Sequence, residues 1–284
     1  MFVIIGIAIV FGALLTGYLA SGGNPLVLMQ INEFIIIFGA AIGSVLIANP
    51  LPTIKKIIAG VMGTLKGPKV SKQAYLDLLR LLYEIFLYAK REGLIALEPH
   101  VENPNESTIL TKYPSFLNNH HAVDFFCDTL KIVLSGGVPA QDLEELMDID
   151  METIHAEEAI APAAVNTVAD AFPGLGIVAA VLGVVITMQS ISEGAETVGH
   201  HVAAALVGTF LGVLMSYGIV GPIAKYMDFI VQKEGKYLAC IKASLLAFAK
   251  GTPAAVAIEY GRRSIDPENR PSFNETEEAV KKPL

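Results

Sequence analysis

Residues 172–188, FPGLGIVAAVLGVVITM, and residues 205–224, ALVGTFLGVLMSYGIVGPIA, decide how this chain is read. No formal charge falls between Ala171 and Ser192, and between Thr197 and Ala224 there is no Asp, Glu, Lys or Arg, only the pair His200 and His201. Each run has about the ~20 apolar residues that a helix needs to cross a ~30 Å hydrocarbon core. The turn between them, Ser192 to Gly199, holds Glu193 and Glu196 as its only formal charges. The pattern predicts a transmembrane hairpin over residues 171–224.

Small residues give that hairpin a packing face. Ala204, Gly208, Gly212 and Ser216 recur every fourth position and form one ridge along the second helix. Gly176, Ala180 and the offset Gly183 form a similar row on the first. In lipid the hydrophobic effect gives helices little reason to associate, so close backbone approach through small residues supplies the packing energy. A hairpin of this kind expects helical neighbours.

Outward from the hairpin, charge is segregated. The 284 residues are 53% hydrophobic, with a mean hydropathy of +0.53, values that describe a membrane protein with a substantial water-exposed part. The net charge of -8 hides the fact that all 20 Lys and Arg lie in Lys55 to Lys131 or Lys225 to Lys282. Phe2 to Leu19 is long enough for a first span, and Phe34 to Ala48 supplies a second. The positive-inside rule places the two basic segments in the cytoplasm, so both termini lie inside. The fold class expected is an all-α membrane protein with four spans. Its regions are spans 1 and 2 (residues 1–50), a helical cytoplasmic insertion (51–170), spans 3 and 4 (171–224) and a cytoplasmic tail (225–284). A cleaved signal peptide is the rival reading of the first stretch, but it lacks a basic n-region and further spans follow.

Within the insertion, SKQAYLDLLRLLYEIFLYAKREG predicts an amphipathic helix capped by Ser71 and Gly93. A second helical pattern covers Pro114 to Leu134, and a third, strongly acidic one covers Ala140 to Glu158 before an interruption near Pro162. After the hairpin, Lys225 to Ala257 is again helical, and a short acidic helix follows near the end. The first two spans read as an outer shell around the hairpin.

No catalytic residue set, phosphate loop or metal spacing stands out. His120, His121 and Asp124 can approach one another on a helix, but such clusters are usually solvent-facing. Cys127 and Cys240 form no CxxC or Cys/His spacing and read as buried small residues. Ion pathways normally use an intramembrane acid, and no span as delimited above contains one. Either the spans carry nothing, or a partner helix supplies the ionisable group. Thr209 is the buried hydroxyl beside the small-residue ridge; a membrane threonine is often satisfied by its own i-4 carbonyl. Pro173 reads as first-turn punctuation, while Pro222 falls late in a helix, where it removes a hydrogen bond.

The motifs together resemble the motility protein A (MotA) family, the larger flagellar stator subunits within the MotA/TolQ/ExbB group. They are LLRLLYEIFLYAKREG, the LExxxENP pattern at Leu97 to Pro104, FPGLGIVAAVLGVV, ALVGTFLGVLMSYG followed by Pro222, and EYGRR with RPSF between Glu259 and Phe273. The resemblance spans nearly the whole chain. It implies a proton-driven, torque-generating unit in the bacterial inner membrane, with five copies of this subunit around two copies of motility protein B. Motility protein B would bring the membrane Asp and the peptidoglycan anchor. The other partner implied is a flagellar rotor switch protein of the FliG type; no cofactor and no nucleic acid are expected. By resemblance Pro173 and Pro222 serve conformational coupling, and Thr209 lies near the ion route. Ala180 stands where sodium-driven relatives carry Thr, and a methyl offers a desolvated cation no ligand oxygen. Glu98 matches the acidic member of the rotor-contacting pair. Lys90, with Arg91 beside it, falls at the basic column, where the family often has Arg. The alternative is an ExbB- or TolQ-like energiser of outer-membrane processes, against which the fourth span argues.

Overall fold

The structure is a computed structural model that describes residues 2–68 and 70–281. Its described regular elements are all helical. In chain order the α-helices are α1 (Phe2–Ala20), α2 (Ile31–Ala48), α3 (Leu51–Lys66), α4 (Lys72–Glu92), α5 (Glu98–Glu102), α6 (Pro114–Leu117) and α7 (His120–Ser135). After these come α8 (Ala140–Gln189), α9 (Ala195–Val213), α10 (Gly221–Ala249), α11 (Ala254–Ser264) and α12 (Phe273–Lys281). Among the described residues four helical segments are long and apolar enough to cross a membrane: Phe2–Ala20, Pro25–Ala48, Ala140–Gln189 and Ala195–Ala249.

The chain divides into two compact units. The first comprises Met1–Gly67 and Glu158–Ile230, the second Pro68–Glu157 and Val231–Leu284.

In the first unit α1 buries none of its residues and presents an apolar surface all round. Helix α2 behaves differently. It buries Glu33, Ile37 and Ala41, one face at a spacing of four. Ile37 and Ala41 pack with Phe172, Ala179 and Leu211 in one apolar cluster. So α2 packs on the hairpin, and α1, half-buried at most, keeps more of the outer-shell character expected of both. A second cluster joins Ala161, Val165, Ala224 and Met227, with Ile57 and Val61 of α3 beside it.

The second unit has a conventional hydrophobic core. Tyr75, Leu78, Leu82, Ile85 and Phe86 of α4 are fully buried, together with Phe116, Phe126, Leu130, Ile241 and Leu245. Phe86 stacks on Phe248 with centroids 4.3 Å apart, and Phe116 meets Phe126 edge-on at 5.5 Å. The caps of α4 are those its sequence predicts. Ser71 Oγ accepts a hydrogen bond from Ala74 N–H at 3.2 Å, and Gly93 takes the left-handed φ of 92° that favours glycine.

Four boundaries differ from the sequence reading. The pattern over Pro114 to Leu134 is two helices, because Asn119 caps α7 anew: its side chain accepts from Ala122 N–H at 3.2 Å. Helix α8 is not interrupted near Pro162; it runs 50 residues with Pro162 and Pro173 inside it. Pro173 is therefore an interior proline, not first-turn punctuation, and costs α8 one backbone bond. Neighbouring helices make such losses tolerable at membrane depth. The pattern over Lys225 to Ala257 also divides, ending α10 at Ala249 and restarting α11 at Ala254 after Gly251 at φ 81°. Lastly, the second span starts before Phe34: α2 begins at Ile31 and holds Glu33. The expectation of an acid-free set of spans is wrong.

Candidate functional site

The seam of α8 and α9 is built from absent side chains. A Cβ on Gly176 would stand 2.9 Å from Gly208 O, 3.1 Å from Gly212 Cα and 3.3 Å from Thr209 Cα. On Gly212 it would stand 2.5 Å from Phe172 O and 2.9 Å from Gly176 Cα. Both approaches are to backbone, which cannot swing aside, so only glycine permits them. Gly183 is similarly close to Ala205, 3.1 Å from its Cα. Ala205 is buried, and Ala204 half-buried.

Gly176 thus stands against the backbone of Thr209, and Ala180 follows one turn along α8. Both Thr209 and Ala180 are half-buried. Thr187 Oγ1 donates to Gly183 O, its own i-4 carbonyl, at 2.8 Å. Thr209 Oγ1 has no such bond among the described residues, which leaves its hydroxyl open to another group.

Downstream the backbone changes register. Leu214–Val220 is a π-helical segment that closes with Gly221 N–H donating to Ser216 O. A Cβ on Gly221 would stand 2.8 Å from that oxygen, so glycine is needed there too. Pro222, which has no N–H to donate, follows at once. Short π segments are common where a helix does more than support a fold. Ser216 itself is buried at the start of this segment.

Sequence reasoning missed Glu33. Its side chain is 6% exposed, and a Cβ on Gly208 would stand 2.7 Å from Glu33 Oε2 and 3.2 Å from Ala179 Cβ. The carboxyl therefore occupies the space that Gly208 leaves open, beside Thr209 in sequence. Its Oε2 has no hydrogen-bond partner among the described residues. The signal available in sequence was Glu33 at i-4 from Ile37 and i-8 from Ala41, one apolar face extended by an acid.

The charged residues of the second unit form a separate candidate surface. Lys90 and Arg91 end α4, and Glu98 opens α5; all three are exposed. Between them Leu97 is fully buried, and Val101 follows it into the core, which fixes Glu98 outward. His100 anchors the same turn: its Nδ1 lies 2.8 Å from Ser107 Oγ, and desolvation lowers the imidazole's proton affinity. The LExxxENP pattern is thus a scaffold whose Glu98 has no ion-pair partner among the described residues.

The other matched pattern, EYGRR with RPSF, is a brace. Glu259 accepts from Arg262 Nε and Nη2 and from Arg263 Nε, each at 2.7 Å. Arg262 Nη1 also donates to Pro271 O at 3.0 Å. The two guanidinium groups hold the Glu259 carboxyl down at about 2. Gly261 is glycine because a Cβ would clash with Ser244 Oγ and stand 2.9 Å from Cys240 O. Among the described residues no group of three His, Cys, Asp or Glu could hold a metal.

Four helical segments long and apolar enough to cross a membrane, a glycine seam with an open threonine and a buried acid on the second of those segments define a class: a multi-pass helical membrane protein. The family described as Motility protein A N-terminal matches residues 4–93, and the MotA/TolQ/ExbB proton channel family matches residues 118–238. The chain is 38% identical over 282 residues to Motility protein A of Escherichia coli (strain K12), covering 99% of this chain and 95% of the relative. It is 34% identical over 273 residues to Chemotaxis protein LafT of Vibrio parahaemolyticus, covering 96% of each. The solved Structure of C. jejuni MotAB superimposes with a TM-score of 0.77 at 19% identity, over 95% of this chain and 98% of that one. The flagellar MotAB stator complex from Bacillus subtilis gives 0.71 at 24%, over 90% and 92%. The chain belongs to the MotA/TolQ/ExbB proton channel family, in its motility protein A branch.

Proposed function

We propose that this chain is a stator subunit of a bacterial flagellar motor, joining motility protein B in a proton-driven, torque-generating unit. The observation that carries the reading is the near-complete match to Motility protein A at 38% identity. The open Thr209 hydroxyl on a backbone-tight seam adds to it.

In this reading residues 51–170 and 225–284 are cytoplasmic, both termini lie inside, and the protein resides in the inner membrane. Five copies surround two helices of motility protein B, each bringing an Asp. The exposed apolar surface of α1 faces lipid. A proton entering from outside neutralises the partner Asp and changes how that helix sits against the Ala180/Thr209 face. The subunit ring then turns by a step. Pro173, one of two prolines inside α8, and the π segment before Pro222 interrupt regular helical bonding, which suits them to coupling. The exposed residues Lys90, Arg91 and Glu98 push a rotor switch protein of the FliG type. Such exposed contacts are individually weak and salt-screened, as a contact remade at every step requires. An ExbB- or TolQ-like role is disfavoured by the four candidate spans.

Deleting the gene tests the reading: cells are expected to keep filaments and stop swimming. Retained swimming would overturn it. For the ion, motility is expected to survive sodium-free medium and to stop with a protonophore, and dependence on sodium would reject a proton drive.

A further inference from the structure

Two buried side-chain atoms of the described residues have no hydrogen-bond partner, Glu33 Oε2 and His201 Nδ1. Both belong to the first unit, on helices that pack together, α2 and α9. Glu33 is the stronger of the two. It is more than nine-tenths buried, aimed at the glycine gap of Gly208 and backed by Ala179. Next on its own face of α2 come Ile37 and Ala41, both buried and apolar. An acid in this setting is not explained by packing, because an apolar residue would continue the face at lower cost. Intramembrane carboxyls that persist despite that cost mark ion and proton routes.

We propose that Glu33 is a second proton-carrying acid of the ion path, contributed by this subunit itself. The proposal rests on the stator reading above and adds to it a station between the outside and the partner's acid. On uptake an O–H bond forms at Oε2 while one breaks in hydronium. On release that bond breaks and an O–H forms on the partner's carboxylate. One positive charge moves, and no electron changes owner.

The groups around Glu33 leave it as the acid of this seam. Among the described residues the remaining ionisable side chains of α9 are Glu196, His200 and His201, all within its first two turns. The stretch of α8 that faces α2, Phe172 to Gln189, has none. Tyr18 is the one on α1, and α3 places Lys55, Lys56 and Lys66 beyond the far end of α2. His201 is seven residues before Gly208 and so shares its face of α9.

The test uses the full chain co-expressed with motility protein B in cells lacking their own stators. Glu33→Gln keeps the shape and the hydrogen-bonding capacity but cannot carry a proton. It is expected to lower proton influx and rotation speed about tenfold or more, with copurification of the partner unchanged. Glu33→Asp is expected to conduct with a shifted dependence on external pH. Wild-type influx and pH profile in an assembled Glu33→Gln stator would overturn the proposal. Where Glu33→Gln does not assemble, Glu33→Asp decides: a shifted profile supports the relay and an unchanged one overturns it. Loss of assembly in both variants would make Glu33 a packing residue, which also overturns it. A pH effect reproduced by His201→Gln but absent in Glu33→Gln would assign the titration to His201 instead. A wild-type stator that drives no rotation would sink the stator reading, an outcome separate from all of these.

Discussion

Gly176 and Gly212 meet across α8 and α9 with no side chain between them, whereas Phe86 and Phe248 meet across α4 and α10 by stacking two rings. Both units are helical, yet they solve different problems. Surrounded by lipid, a large apolar side chain gains little by turning inward, so the first unit gains by bringing backbones together. Surrounded by water, the second unit gains by burying area, about 25 cal/mol for each Å² of apolar surface removed from water. Polar groups follow the same division. The second unit spreads its charge over ion pairs such as Lys242 with Asp148 at 2.6 Å and Lys72 with Glu275 at 2.7 Å. Among the described residues the first buries one acid, Glu33, and leaves one of its oxygens unpaired.

If that contrast is right, truncation should be most damaging in the second unit. Phe86→Ala removes a fully buried ring and is expected to cost about 3–5 kcal/mol, read as a lowered chemical-denaturation midpoint of the purified protein. A cost below about 1 kcal/mol would mean that the core collapses around the gap, and the comparison would fail on that side.

The first unit should instead be most sensitive to addition. Gly176→Ala places a methyl 2.9 Å from Gly208 O and is expected to destabilise by about 1–3 kcal/mol. Gly174→Ala, on the same helix with nothing within 4 Å, is expected to be neutral or slightly stabilising. Thermal melts in detergent of these two variants separate close packing from helix propensity. Equal melts would break the argument.

A smaller effect is expected at Glu259. Its carboxyl lies lower in the folded chain, at about 2, than its ordinary 4.5. Its contribution is therefore complete above pH 4.5 and is lost as pH falls toward about 2. With solvent screening the contribution is about 1 kcal/mol. Glu259→Gln should lower the melting temperature at pH 7 and narrow the gap between pH 7 and pH 3. A variant with the wild-type acid response would show that the brace contributes no pH-dependent stability.

Much of the architecture was legible in the sequence because its signals are local. Apolar runs mark Phe2–Ala20 and the hairpin, and Ser71 and Gly93 bracket α4 by chemistry that acts within a few residues. The four-residue spacing of Gly208 and Gly212 announced a tight face. What the sequence hid depends on partners far along the chain. Proline at 162 and 173 argues for a stop, yet α8 passes through both, since local backbone preference is weaker than the packing of a long helix. Glu33 precedes the apolar run that starts at Phe34, and its burial was hidden because the vacancy that receives it belongs to Gly208, 175 positions away by number. The open hydroxyl of Thr209 was equally hidden, because its own i-4 carbonyl was an available partner.

The weakest expected effect on stability, and the most selective one on function, is at the loop between α4 and α5. Lys90, Arg91 and Glu98 are exposed and have no ion-pair partner among the described residues. Contrast Lys112 and Glu84, an ion pair of the same unit, or Lys233, which reaches both Asp266 and Glu268. Charges that serve the fold are paired within it, and these three are not. Lys90→Glu, Arg91→Glu and Glu98→Lys should each change stability by no more than about 0.5 kcal/mol. Torque at high load should fall in at least one of them, and more at low than at high ionic strength, since screening already weakens the native contact. Reversing a charge on the facing surface of the rotor should restore part of the loss. Full torque in all three variants, with unchanged melts, would leave the loop as a solvated helix end and move the rotor contact elsewhere on the second unit.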